Sequence, residues 1–172
     1  MALAALPASL KSIKAFVDRA DELKTAEPMV AYHLRLYAVQ EAMRLRASLP
    51  KHDQAYIITL MDDLERQKAS LGPLDDAEVL VENYGQSLFT RADDADRAGD
   101  SSLRTAKCFL AASNVLEACK QFGELPVDLG EKVKYAKGRF VEIAKAIKEK
   151  REPEPPRKDP SFEAAAPEEG YE

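Results

Sequence analysis

Residues 28–47 read PMVAYHLRLYAVQEAMRLRA and predict one helix that is apolar on two opposite sides. At about 100° per residue, the apolar side chains fall into two stripes: Met29, Tyr32, Leu36, Val39 and Met43 on one side, and Val30, Leu34, Tyr37, Ala38 and Leu45 on the other. A helix on the outside of a small bundle needs only one such stripe. We therefore expect a central helix packed on both sides. The alternative is that part of one face lines a groove for a partner helix.

Five further helical segments accompany this one, and several have recognisable ends. Gly72-Pro73 stops the third segment, and Asp75 with Glu78 begins the fourth in the manner of a capping box. The six segments are expected over residues 9–25, 28–47, 53–71, 75–98, 101–123 and 128–152, with Asn83 as the candidate position of a break in the fourth. No run of alternating apolar and polar residues predicts a strand, so the fold class is all-α.

An internal repeat organises the six segments. Aligning the first three segments with the last three, in order, makes Leu34, Val39, Glu41 and Ala42 coincide with Leu110, Val115, Glu117 and Ala118. Two alanine-rich helices could match this well by chance, but the shared order of three helices favours a duplication. We predict two tandem three-helix bundles joined by a short linker, one module over residues 8–72 and the other over residues 74–150.

The C-terminal residues 151–172 differ in composition from the body of the chain. They hold five of the ten prolines and a charge of −4 out of a total of −5, which predicts a flexible, partly extended, acidic linker or tail. The body is almost neutral, and this argues against general nucleic-acid binding. No apolar stretch approaches the roughly 20 residues of a membrane helix, so we expect no direct membrane insertion.

The cysteines and histidines indicate no reactive centre. Cys108 and Cys119 would lie about 16 Å apart on one helix, too far for a disulfide. Two free thiols fit a reducing compartment, which predicts a cytoplasmic protein. His33, on the polar side of its helix, and His52, in a loop, are both expected to be solvated surface residues.

Motifs of catalysis and cofactor binding are missing from the sequence. It lacks a phosphate-binding loop, a glycine-rich dinucleotide turn, a paired-histidine zinc motif and a Cys-x-x-Cys pair. The acidic run Asp93–Asp96 has no Glu at the twelfth position that a calcium loop requires. It is expected to be a charged helix end balanced by Arg97 or Arg104. We therefore predict no enzyme activity, no cofactor and no metal.

The third segment offers a candidate binding surface. Its apolar stripe contains Met61 and Leu64, and Ile58 and Glu65 flank Met61. A methionine beside an apolar side chain and a carboxylate suits the docking of a partner helix, because methionine repacks readily. The alternative is that Met61 and Leu64 belong to the core. On the fifth segment, Leu103 and Leu110 are a weaker hint of a second contact surface.

Several short motifs along the chain occur together in a fixed order. Residues 92–100, ADDADRAGD, resemble the junction of the first two helices in MIT domains, the three-helix microtubule-interacting and trafficking modules. More specific matches are RADEL at 19–23, EPMVAY at 27–32, RLYA at 35–38, DRAG at 96–99, FG at 122–123 and KYA at 134–136. Over residues 10–150 the chain resembles the N-terminal region of the LYST-interacting-protein-five family, called Vta-one in fungi.

This resemblance implies two tandem MIT modules and an adaptor of the ESCRT pathway in multivesicular-body sorting. Family members bind C-terminal helices of ESCRT-III subunits at endosomal membranes. They also recruit and activate the AAA ATPase that disassembles ESCRT-III, through a separate C-terminal domain that this chain does not contain. The chain is therefore expected to be a fragment or a family member that lacks that domain. Because dimerisation is attributed to that domain, the resemblance implies a monomer.

The resemblance also assigns roles to residues. Met61 and Leu64 match the first-module groove for a type-one MIT-interacting helix, with Ile58 and Glu65 beside them. The second module would take a different ESCRT-III subunit through a leucine-rich segment, with Leu103 and Leu110 as candidates. Gly138 departs from the family pattern, which often has an aromatic residue there.

Two other functions compete with this interpretation. A TPR-like scaffold that binds unrelated peptide tails would repeat pairs of helices, whereas the repeat here contains three helices and is more than twice as long. An all-α hydrolase or transferase would need a polar cleft that the sequence does not supply.

Overall fold

The computed structural model describes residues 5–158, and this part of the chain is entirely helical, without a strand. Its six α-helices are α1 (Lys14–Leu23), α2 (Pro28–Leu45), α3 (Lys51–Ser70), α4 (Ala77–Arg97), α5 (Leu103–Ala118) and α6 (Val127–Glu149). Short 3₁₀ turns at Ala8–Ile13, Arg46–Ser48 and Cys119–Phe122 extend α1, α2 and α5. The predicted all-α class and the six segments are confirmed, and α4 runs through Asn83 without a break.

The helix starts follow the sequence signals only in part. The Ser102 hydroxyl accepts a hydrogen bond from the Thr105 amide at 3.3 Å and caps α5. The predicted capping box at Asp75 is wrong: α4 begins after Asp76, whose backbone is left-handed (φ 60°), and no side chain caps it. His52 lies in the first turn of α3 rather than in a loop, and it is exposed there as predicted.

The helices form two bundles of three, each with a central helix. Helix α2 contacts α1 and α3, and α5 contacts α4 and α6. The bundles meet where α2 packs on α4 and α5 and where α1 packs on α5. Helix α2 therefore packs against other helices on both of its apolar sides, as its two stripes predict, although Met43 stays exposed and Leu36 half-buried.

A continuous hydrophobic core runs through both bundles. It extends from Leu10 to Ile143 and includes residues of all six helices. In the first bundle, the rings of Phe16 and Tyr37 pack in a T-shaped arrangement with 4.9 Å between their centroids. In the second, Phe89, Phe109 and Tyr135 form a triangle with centroid separations of 5.9 to 6.2 Å. The boundary between two modules at residues 72–74 remains a prediction, since the core does not divide there.

His33 is buried, and its predicted surface position is wrong. Only 5% of the residue is exposed. Its Nδ1 lies 3.0 Å from Gln121 Oε1, and the Gln121 amide donates to the His33 carbonyl at 2.9 Å. The polar side of α2 faces the end of α5. There the centroid of the Phe122 ring lies 5.3 Å from that of the imidazole. Burial lowers the pKa of His33 below its ordinary value of 6.5.

Two ion-pair clusters connect helices within the bundles. Asp96 is buried and accepts from Arg139 Nε at 2.7 Å and from Arg139 Nη2 at 2.9 Å, which ties α4 to α6. The predicted partners of the acidic run are thus only partly right: Arg97 does pair with Asp93 at 2.9 Å, but Asp96 uses an arginine from another helix. In the first bundle, buried Arg35 bonds both Asp21 and Asp63, the latter at 2.6 Å.

Residues 151–158 follow α6 as an extended segment that we call the strap. The backbone is extended as the sequence predicts, but these residues lie on the second bundle instead of leading freely away from it. The rest of the predicted tail, 159–172, lies outside the described residues.

Both cysteines are free thiols, and each thiol forms a hydrogen bond to a backbone carbonyl oxygen of a helix. The Cys108 thiol donates to the Leu88 carbonyl oxygen at 3.4 Å, and the Cys119 thiol donates to that of Val115 at 3.6 Å. Burial raises the pKa of both thiols, that of Cys119 to about 12. Across residues 5–158, none of the helices combines the length and apolar character needed to cross a bilayer.

Candidate helix-docking site

The outer face of α3 carries three of the four residues predicted for the first-module site. Ile58 is 58% exposed and Met61 43% exposed, and Glu65 is exposed as well. Their spacing of three and four residues places them in one row along the helix. The structure therefore brings Ile58, Met61 and Glu65 together on a surface, which we call the α3 face.

Leu64 does not belong to that face. It is only 6% exposed and joins the inward row that also contains Ile57 and Leu60. The two alternatives were that both residues lie on a docking surface or that both belong to the core. Each applies to one residue: Met61 is at the surface and Leu64 is in the core. Helical geometry explains the difference, because Leu64 lies one turn from Leu60 on the inner side of α3.

Helix α2 provides the neighbouring wall. Glu65 contributes, after desolvation, to raising the pKa of the Tyr32 phenol, so these two side chains of different helices are close together. The helices are antiparallel across the short connection at 46–50. With Tyr32 opposite Glu65 in an antiparallel pair, helical spacing places half-buried Leu36 opposite Met61. Exposed Met43 extends this apolar wall toward the connection.

The α3 face is acidic as well as apolar. Glu65 and its neighbour Asp62 are exposed, and within residues 5–158 neither carboxylate forms an ion pair with a cation. Asp63, between them, is already engaged by Arg35. Two carboxylates next to Met61 can accept hydrogen bonds from lysine or arginine side chains of a docked helix.

The second candidate surface is less open. Leu103 is exposed at the first position of α5, but Leu110 is half-buried. The same row continues to buried Asn114 and to Gln121, which bonds His33 of the first bundle. Its C-terminal half thus lies at the junction of the bundles, and only the end near Leu103 is fully accessible.

A cavity of about 780 Å³ on the other side of the first bundle was not predicted. It lies between α1 and α3 and is lined in part by Asp21, Arg35, Tyr56 and Asp63. The sequence offered one signal for it, an arginine at position 35 inside a helix that is otherwise apolar on two sides. Among the described residues, no three His, Cys, Asp or Glu side chains are grouped as metal ligands would be.

Comparison with known proteins gives matches over nearly the whole helical region. The family model described as "Vta1 like" matches residues 12–149. A protein of Arabidopsis thaliana described as a homolog of mammalian LYST-interacting protein 5 is 40% identical over 146 residues, which cover 84% of this chain and 35% of that protein. The human vacuolar protein sorting-associated protein VTA1 homolog is 34% identical over 152 residues, with 83% and 48% covered.

A solved structure supports the fold. The crystal structure of the Saccharomyces cerevisiae Vta1 N-terminal domain matches with a TM-score of 0.68 at 18% identity, over 81% of this chain and 99% of that one. At that identity the likeness concerns the fold alone. The chain spans about a third to a half of the length of the two curated relatives above.

Proposed function

Because the chain belongs to the Vta1-like family, we propose that it acts in vacuolar protein sorting as a non-enzymatic adaptor of the ESCRT pathway. The names of the relatives, which include vacuolar protein sorting-associated proteins, support this proposal. In the proposal the chain is cytoplasmic and is recruited to endosomal membranes, where its first bundle binds C-terminal helices of ESCRT-III subunits.

The observation that carries the proposal is the α3 face. Ile58 and Met61 are large apolar side chains on the surface of a helix whose opposite side already fills the core. An amphipathic helix could bury its leucines against them and against Leu36 of α2. Basic residues of the same helix would then reach Glu65 and Asp62, whose carboxylates have no cation partner within residues 5–158.

Other parts of the proposal concern the second bundle and the whole protein. A different ESCRT-III subunit would contact the second bundle at Leu103 and Leu110, of which Leu103 is the accessible one. Recruitment and activation of the AAA ATPase are proposed for the whole protein. The chain itself would be a monomer. A TPR-like scaffold receives no support from the three-helix packing or from the fold match.

Calorimetric titration of the chain with synthetic C-terminal helices of each ESCRT-III subunit tests the proposed function. Met61→Asp is the informative variant, because Met61 is exposed and its replacement leaves the core intact. Leu64→Asp is unsuitable, since a buried charge would cost several kcal/mol of stability. Val141→Asp is the matched control: Val141 is 59% exposed and lies on α6.

At least one subunit's helix should bind the wild-type chain, and Met61→Asp should weaken that binding by about tenfold or more. Val141→Asp should bind like wild type, and circular dichroism should show all three proteins folded. If none of the helices binds wild type, the proposed function is wrong. If one binds and Met61→Asp changes nothing, the α3 face is not the site.

A further inference from the structure

The outer side of α6 carries a row of lysine side chains. Lys134, Lys137, Lys145 and Lys148 are all exposed, and helical geometry places them within an arc of about 80° over a length of about 21 Å. We call these four residues the lysine stripe. Lys137 pairs with Glu117 of α5 at 2.9 Å, whereas the other three form no ion pair within residues 5–158. The stripe therefore has three cations available to a partner.

The nearby carboxylates of α6 lie to one side of the lysine stripe and are engaged at the strap. Glu142 accepts from Arg151 at 2.7 Å and from the Glu154 amide at 3.0 Å. Glu149 accepts from the same Arg151 at 2.7 Å. Both carboxylates lie about 80–100° around the helix from the middle of the stripe. The stripe itself thus contains four cations and no anion, in a chain whose net charge is −5.

The internal repeat shows that the lysine stripe replaces the α3 face. In the alignment that pairs Leu34 with Leu110, Ile58 and Met61 coincide with Lys134 and Lys137. A partner helix can bury leucines against Ile58 and Met61, but burying them against two ammonium groups would cost free energy. The same place in the second bundle therefore favours a partner that is anionic and does not need an apolar contact.

The position of α6 leaves the stripe open to a broad surface. The main contacts between the bundles are made by α1, α2, α4 and α5, so α6 is an outer helix of the molecule. The outer face of a single helix is convex, and a flat surface can touch lysines along its whole length. Val141 is the exposed apolar residue among them, and a single valine is too small to hold a helix in hydrocarbon.

We propose that the lysine stripe binds the surface of a membrane that contains anionic lipids. The ammonium groups contact the negatively charged headgroups, and α6 lies along the bilayer surface without inserting into it. Lysine suits this role, because its charge is carried at the end of a long, flexible side chain.

This contact goes beyond the proposed function, in which ESCRT-III subunits bring the chain to the membrane. The α3 face and the lysine stripe belong to different bundles, so a partner helix and a membrane can be bound at the same time.

Co-sedimentation of the chain with lipid vesicles tests the proposal. One set of vesicles contains phosphatidylcholine with about 30 mol% phosphatidylserine, and the other contains phosphatidylcholine alone. At about 50 mM salt the chain should bind the first set and not the second, and about 300 mM salt should release it, because added salt screens the attraction. Each lysine near an anionic surface strengthens binding about fivefold, so Lys134→Gln/Lys145→Gln/Lys148→Gln should bind at least about tenfold more weakly.

Lys11→Gln/Lys24→Gln/Lys51→Gln is the matched control. It removes three exposed lysines from the first bundle and changes the net charge equally, and it should bind the vesicles like wild type. Circular dichroism should show both variants folded. Absence of binding to the anionic vesicles would overturn the proposal, as would equal binding to phosphatidylcholine alone or an equal loss in both variants.

A soluble acidic partner is separated from a membrane by a fluorescein-labelled polyglutamate peptide. Under the proposal the peptide should bind wild type more weakly than the anionic vesicles do. If it binds more tightly than the vesicles and the stripe variant loses it, the stripe is a site for an acidic protein segment and the proposal is wrong. Met61→Asp should bind vesicles like wild type, so a failure here is distinguishable from a failure of the ESCRT-III titrations.

Discussion

The imidazole of His33 lies between the two bundles and has only one hydrogen-bond partner for its two ring nitrogens. Nδ1 faces Gln121 Oε1, whereas Nε2 is buried without a partner among residues 5–158. In the neutral ring, Nδ1–H can donate to Gln121. Protonation would add an Nε2–H group with no acceptor and would bury a charge, and this is why burial lowers the pKa.

The chain should lose stability as the pH falls below about 6.5, the pKa of an unfolded histidine. Because the pKa of His33 is lower in the folded state, the unfolded state binds this proton more tightly. The contribution of His33 to stability is therefore complete above about pH 6.5 and is lost as the pH falls from there toward the folded pKa. Urea unfolding at pH 7.5 and at lower pH values measures this. His33→Gln should flatten the slope, and His52→Gln, which changes an exposed histidine, should keep it. An equal slope in wild type and His33→Gln would contradict the prediction.

Single residues are also where sequence reasoning was least complete. Helical spacing predicted that Ile58 and Met61 share a face. It could not show that Leu64 faces the core, because that depends on how α3 is rotated about its axis against α2. His33 was placed wrongly for a similar reason. The helix that covers it is 88 residues away in sequence. The Asp96–Arg139 pair likewise spans 43 residues, which no local pattern reveals.

At the scale of the helices, Gly85 allows α4 and α5 to approach closely. A Cβ atom at this position would lie 2.7 Å from Leu116 Cδ2, 2.9 Å from Leu116 Cγ and 3.1 Å from Val115 Cγ1. Leu116 is completely buried and cannot move away freely. The absence of a side chain at position 85 is therefore a condition of this helix pair, although glycine weakens an isolated helix.

Gly85→Ala should lower the free energy of unfolding by about 1–2 kcal/mol, because overpacking outweighs the gain in helix propensity. Gly138→Ala is the matched control, since position 138 also lies inside a helix but opens onto free space. It should raise the free energy of unfolding by about 0.5–1 kcal/mol. Chemical denaturation of both variants measures the difference. Stabilisation of both would show that Leu116 accommodates the methyl group.

Helices were the level that the sequence predicted best. Apolar periodicity located all six, and Gly72-Pro73 located the end of α3. The start of α4 was missed because the chain uses a left-handed residue, Asp76, instead of a side-chain cap. The 3₁₀ turns were also missed, since their residues continue the apolar pattern of the adjoining helices.

For the molecule as a whole, the shared core governs how the two bundles behave. Apolar contacts pass from α1 and α2 into α4 and α5, beside the polar contact of His33 with Gln121. The sequence repeat predicted two units of three helices. It could not predict how much apolar surface they share. Contacts between the units use the second apolar stripe of α2, and the sequence alone allowed that stripe either to be buried or to bind a partner helix.

Thermal unfolding should proceed in one step that includes both bundles. Separating them would expose α2 and α5 on the sides that face each other, so neither bundle is expected to survive alone. Differential scanning calorimetry should give a single peak whose van't Hoff enthalpy equals the calorimetric enthalpy. Two resolved peaks, or a calorimetric enthalpy well above the van't Hoff value, would show instead that the modules are independent.

The two cysteines have a practical consequence. Maleimides and similar alkylating reagents attack the thiolate, and burial keeps both Cys108 and Cys119 in the protonated form at neutral pH. A cysteine introduced at an exposed position would ionise far more readily and react first. Fluorophores or spin labels can thus be attached to one chosen site, on either bundle, while the native cysteines remain in place.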